Sequence, residues 1–86
     1  MPLSGQEVAV ERVGRDEWCV SFTTLVLPER TWEFEAYKTG ESRAAGVNLF
    51  WSEAERAFVG NSRRDVPPPV LERTVEWILH IASCPT

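Results

Sequence analysis

Histidine, tyrosine and methionine each occur once in this 86-residue chain, and cysteine twice. With His80 alone there is no imidazole pair to hold a metal, and Cys19 and Cys84 lie near opposite ends of the chain. They form neither a Cys-x-x-Cys pair nor the spacing of a secreted disulfide scaffold. Two reduced thiols are the simpler expectation, with a Cys19–Cys84 disulfide as the alternative. The chain has no Walker A loop, no G-x-G-x-x-G and no G-x-S-x-G pattern. No apolar run approaches the roughly 18 residues that suggest a membrane helix. The opening Met-Pro-Leu-Ser-Gly-Gln-Glu lacks the charged and apolar regions of a signal peptide. Asn61-Ser62-Arg63 fails the glycosylation pattern at its third position. The expectation is a cytoplasmic protein with no metal, no cofactor and no membrane partner.

What is present makes a small core. The chain is 43% hydrophobic and 26% charged, with four Trp and four Phe, which excludes a disordered chain. Aromatic rings supply large buried area per residue, and a chain of this length supports one domain, residues 1–86. The only low-complexity stretch is Pro67-Pro68-Pro69.

Charge is asymmetric. Thirteen acids against nine bases give −4. Residues 7–41 hold Glu7, Glu11, Asp16, Glu17, Glu29, Glu33, Glu35 and Glu41 against Arg12, Arg15, Arg30 and Lys38. Affinity for nucleic acid comes largely from neutralising phosphates, so this balance disfavours it. An acidic surface suits solubility, a basic protein partner, or imitation of a nucleic acid's charge.

The first two thirds of the chain read with a period of two, the signature of half-buried strands. Glu7–Val13 alternates weakly and stops at Gly14-Arg15-Asp16-Glu17. In Trp18–Leu27 the residues Trp18, Val20, Phe22, Thr24 and Val26 share one face and Cys19, Ser21 and Thr23 the other. Leu25 and Leu27 break that polarity, and Pro28 ends the run. Thr31–Lys38 alternates cleanly, with Trp32, Phe34 and Ala36 opposite Glu33, Glu35 and Tyr37. After a turn at Thr39-Gly40-Glu41-Ser42, Val47, Leu49 and Trp51 alternate with Asn48, Phe50 and Ser52. A hairpin connection then leads to a short strand around Ala57-Phe58-Val59. Such short connections imply antiparallel neighbours and a meander.

The last third changes period. Val70, Leu71, Thr74, Val75, Ile78, Leu79 and Ala82 recur at helical spacing, predicting a helix over about 69–83. Proline pushes the preceding residue out of the α region, so Pro67 and Pro68 are expected to be extended, with Pro69 first in the helix. Pro85 ends it.

Together these periods predict an α+β domain. It has a four- to five-stranded antiparallel β-meander within about 7–59 and one C-terminal α-helix packed on one face. Val8, Val10, Trp18, Val20, Phe22, Trp32, Phe34, Val47, Leu49 and Trp51 form the covered face. Leu71, Val75, Ile78 and Leu79 of the helix pack onto it. The open face carries Glu7, Glu11, Ser21, Thr23, Glu33, Glu35, Tyr37, Asn48 and Phe50.

Catalysis finds little support in these residues. Cys19 sits on the open face and His80 on a helix that covers the other, so a nucleophile pair is not expected. Glu33 and Glu35 share a face and are chemically suited to acid–base work, but a solvated strand face is the simpler role. In element order the chain resembles the single-stranded-DNA-binding transcriptional coactivator fold, a twisted antiparallel sheet followed by a C-terminal helix. That resemblance implies a nucleic-acid-binding sheet, with Arg63-Arg64 as the local positive cluster. Such a sheet needs basic residues interleaved with exposed aromatics, whereas Tyr37 and Phe50 here stand among glutamates.

Protein binding fits better. Trp18, Trp32 and Trp51 are assigned to the core, while Glu33, Glu35, Tyr37, Phe50 and Trp77 are the candidate partner-binding residues, aromatics being enriched at binding hot spots. For Trp77 a rim contact closing the helix–sheet seam is an equal alternative. A second copy of the chain is another candidate partner for Tyr37 and Phe50. In size, charge and lack of catalytic apparatus the chain is similar to immunity proteins, antitoxins, adaptors and phage anti-defence inhibitors of the anti-CRISPR type. The expectation is a non-catalytic inhibitor or adaptor that occludes a basic surface on another protein.

Overall fold

The computed structural model describes residues 5–42 and 45–83. Five strands form one antiparallel sheet in chain order: β1 (Glu7–Val13), β2 (Asp16–Val26), β3 (Thr31–Lys38), β4 (Val47–Ser52) and β5 (Ala57–Val59). A 3₁₀ turn (Ser62–Asp65) leads into the single helix α1 (Pro68–Ser83). The domain is α+β, with the meander and C-terminal helix expected from the two periodicities. Cys84 lies outside the described residues.

β3 sits at the centre of the sheet and alternates without fault. Trp32, Phe34 and Ala36 are buried beneath the helix side, and Glu33, Glu35 and Tyr37 lie opposite. Leu49 and Trp51 of β4 continue the buried face, with Trp51 edge-on to Phe58 of β5 at 5.1 Å. β1 and β2 depart from strict alternation, each through a bulge.

In β2 the register steps at Thr23. Phe22 opposes Phe34, but Thr24 opposes Glu33 and Leu25 opposes Trp32. One extra residue in a strand turns every later side chain to the other face. Thr24 and Val26 therefore leave the core face assigned to them, and Leu25 joins it, packed against the core. Thr23 is the inserted, exposed residue and not a regular open-face position.

In β1 the step is at Val8. Glu7 opposes Ser21, Ala9 opposes Val20 and Glu11 opposes Trp18. Ala9 is buried, Val8 is half-buried against the core, and Val10 lies 42% exposed on the open side beside Cys19. This corrects two expectations. Val10 is not a core residue, and Glu11 is not on the open face, because the bulge exchanges the sides of the residues around it. Glu11 instead meets Arg73 of α1 at 3.3 Å.

The helix begins one residue earlier than expected, at Pro68. Proline's fixed φ near −65° suits the first helical turn, where its missing N–H is no loss, and both Pro68 and Pro69 stand there. The first turn has few orphan donors, because Pro68 and Pro69 bring no N–H. The Pro67 carbonyl accepts from Val70 N–H at 3.0 Å and Leu71 N–H at 3.3 Å.

α1 is also rotated relative to the expected stripe. Val70, Thr74 and Ile78 are its fully buried residues, and Leu71, Val75, Trp77 and Ile81 flank them. The Thr74 hydroxyl donates to the Val70 carbonyl at 2.9 Å, which satisfies it in the core. Leu79 is roughly half a helical turn round from Val70. It is 43% exposed and does not pack onto the sheet as expected. Trp77 takes that place, with ring centroids 5.8, 6.0 and 5.9 Å from Phe22, Trp32 and Phe34.

The turn between β2 and β3 is pinned to the turn between β4 and β5 by one carboxylate. Arg30 donates to Glu53 through Nε at 2.6 Å and Nη2 at 3.1 Å, and Trp32 Nε1 donates to it at 2.7 Å. The bond from Arg30 holds the Glu53 carboxyl below its ordinary value, against the opposing effect of burial, and Trp32 adds to the lowering. A depressed carboxyl stabilises the fold above its unfolded pKa, and this contribution is lost as pH falls through the folded value. Glu53→Gln should therefore flatten part of the acid limb of a plot of urea midpoint against pH. An unchanged acid limb would show that this cluster is not energetically linked to folding.

Candidate functional site

The open face is built from cross-strand rows, whose neighbouring Cβ atoms lie about 4.5–5.5 Å apart in any antiparallel sheet. Arg12 and Glu17 form the first row and Val10, Cys19 and Tyr37 the second. Glu7, Ser21, Glu35 and Asn48 form the third. Thr24, Glu33, Phe50 and Val59 form the fourth, and Val26, Thr31, Ser52 and Ala57 the last. Of the expected partner-binding residues, Glu33, Glu35, Tyr37 and Phe50 come together on this face, all half-buried. Trp77 does not join them. It lies on the opposite side of the sheet, in the aromatic cluster of the core, where its half-exposed ring closes the helix–sheet seam.

The middle of the face, along β2, holds its buried residues. Cys19 and Ser21 are buried even though α1 packs on the other side, because longer side chains rise on both flanks. Glu7 and Val10 stand on the β1 flank, Glu35 and Tyr37 on the β3 flank. At one end the Cys19 thiol lies 3.3 Å from the Thr39 hydroxyl, which donates to Glu17 at 3.0 Å. At the other end the face turns apolar through Phe50, Val59 and Val26, and Leu27 follows in the turn at 65% exposure.

The carboxylates are unevenly distributed. Glu11 and Glu53 pair with Arg73 and Arg30, and Asp16 with Lys38 at 3.7 Å, all away from this face. Glu7, Glu17, Glu33 and Glu35 share the open face with Arg12. Sequence reasoning missed Val10, Thr24, Val26 and Val59 here. A faint signal marked each bulge, the apolar run Val8-Ala9-Val10 in β1 and Leu25 breaking the alternation of β2, while none pointed to Val59.

The remaining candidate residues lie elsewhere. Arg63 donates to the carbonyls of Phe58 and Gly60, both at 3.0 Å, and so closes the connection out of β5. Arg64 rims a shallow pocket of about 380 Å³ beside Trp18, Lys38 and Pro67, on the helix side of the sheet. In that pocket the Lys38 ammonium sits 5.6 Å from the centre of the Trp18 ring. His80 is exposed on α1, with the sheet between it and Cys19. Among the described residues no three His, Cys, Asp or Glu side chains converge as a metal site would require. No helix of the described residues is long and apolar enough to cross a membrane. Comparison with protein-family models, curated proteins and solved structures gave no match to this chain.

Proposed function

We propose that this domain is a non-catalytic protein-binding module whose open sheet face covers a basic surface on its partner. One observation carries the reading: Glu33, Glu35, Tyr37 and Phe50 share a face that the core does not use. Acidic groups of one sign steer a basic partner and speed encounter, while desolvated aromatic rings supply most of the lasting affinity. The apolar end at Phe50, Val26 and Val59 then acts as the dry centre of the contact, and the glutamates as its charged border. Such a protein works as an inhibitor or adaptor in the cytoplasm. An anti-defence inhibitor of the anti-CRISPR type, laid over a nucleic-acid-binding surface, is one form of it.

The test begins by identifying the partner through capture from host extract, then measures the kinetics of the purified pair. Glu33→Lys/Glu35→Lys should slow association and flatten its salt dependence. Tyr37→Ala or Phe50→Ala should mainly speed dissociation, by about tenfold for a residue contributing roughly 1.4 kcal/mol. Leu79→Ser, on the outer side of α1, is the control and should change neither rate. Wild-type binding by all the face variants, with circular dichroism unchanged, would exclude this face.

A further inference from the structure

The two edges of the sheet differ. β5 is only three residues long, whereas β1 presents seven, and the helix packs on one face of β1 without adding a strand to its edge. The Gly14-Arg15 turn, with Gly14 at φ 63°, joins β1 to β2 as a two-residue hairpin closed by the Val13–Asp16 pair. Hydrogen-bonded and non-bonded pairs alternate along an antiparallel ladder. Val13, Glu11 and Ala9 therefore bond to β2, while Val10 and Arg12 aim their N–H and C=O groups outward. Among the described residues no strand pairs with this row, and such a row is a template for another strand.

We propose that β1 is a homodimerisation edge, where two copies of this chain pair antiparallel about a two-fold axis at Val10 and form one continuous ten-stranded sheet. Three features of the strand favour a second copy as the occupant. Val10, exposed on the open side, meets Val10 of the second copy. The same axis sets Arg12 beside Glu7 of the second copy, and Glu7 beside its Arg12, all on the open face. Like charges, proline or a bulge guard an edge against pairing; β1 carries a bulge at Val8, but one acid and one base flank the axis, so the charges favour self-pairing at both ends. The outward groups also match: Val8 is the extra residue of the bulge, so Glu7, Val10 and Arg12 face Ser21, Cys19 and Glu17 of β2 at even two-residue steps, and Glu7 opposes Arg12 across the axis. A contact of this type is isologous and closes at two chains. The proposal does not depend on what the open face binds. In the dimer the two open faces become one longer surface.

Sedimentation equilibrium of the purified chain from micromolar to millimolar concentration tests it. The expected mass rises to twice that of the chain and no further. Val10→Pro removes an outward N–H without touching the ladder to β2. It should leave a monomer with wild-type circular dichroism and denaturation midpoint. Arg12→Glu makes both flanking pairs repulsive and should weaken association about tenfold or more, since each substitution counts twice across a two-fold axis. The charge exchange Glu7→Arg/Arg12→Glu should restore it to within a few-fold of wild type, and this readout survives even if the proline variant misfolds. A chain monomeric throughout that range would overturn the proposal. So would a dimer that persists in folded Val10→Pro, or a charge exchange that fails to restore association.

Discussion

Phe34→Ala is expected to remove about 3–5 kcal/mol of stability, the usual range for deleting a buried ring. Phe34 is 1% exposed on the central strand, where Phe22 and Leu49 oppose it in register. Its ring lies edge-on to Phe22 at 5.7 Å and to Trp77 at 5.9 Å, so truncation leaves a cavity shared by the sheet and the helix. A domain of this length has roughly 4–13 kcal/mol in total, so the loss takes a large share of its stability and, at the low end of that range, unfolds the variant at room temperature. Urea denaturation followed by tryptophan fluorescence measures the shift. A loss under about 1 kcal/mol would mean that the site collapses around the missing ring or was not tightly packed.

The second large effect concerns α1. Trp77→Ala should cost about 3 kcal/mol, the lower part of the range because the ring is half-exposed. Leu79→Ala should cost under about 1 kcal/mol, as substitutions near the surface usually do. The contrast follows from the rotation of the helix, which turns Trp77 into the cluster of Phe22, Trp32 and Phe34 and leaves Leu79 outside. Parallel denaturation curves of the two variants decide it. Equal losses, or a larger one for Leu79, would place the buried stripe of α1 where the apolar spacing alone puts it. Trp77→Ala should also leave association of the open face unchanged once the protein is folded, because the two lie on opposite sides of the sheet.

Four of the five proposed binding residues share a face, and their grouping was readable from β3 and β4. Those strands alternate without interruption, so Glu33, Glu35 and Tyr37 fall opposite Trp32, Phe34 and Ala36 whatever the neighbouring strands do. Phe50 follows from Leu49 and Trp51 in the same way. Trp77, at the margin of the helical stripe, lies instead at the helix–sheet seam, the alternative the sequence left open, because a large aromatic at such a margin can turn either inward or outward. The choice depended on a space between Phe22, Trp32 and Phe34 that exists only when three elements meet.

The sequence by itself determined which segments are strands and which is the helix, the antiparallel sense of neighbouring strands and the side of β3 that faces the core. Each follows from local rules, namely the side-chain period, the length of the connections and the conformational limits of proline. Tertiary structure decided the order of the strands, the two bulges and the rotation of α1. A bulge at Val8 or Thr23 is scarcely visible in its own strand, because either residue fits a regular ladder equally well. The bulge is selected by packing in the sheet and beneath the helix, which draws Ala9 and Leu25 inward and sends Val10 and Val26 out. The rotation of α1 is likewise a property of the surface it covers, since a stripe with apolar residues on both margins settles where the sheet leaves room for Trp77 and Ile81. The open face and the outward edge of β1 depend on those long-range choices, because the bulges place both Val10 and Val26 on the open side of the sheet.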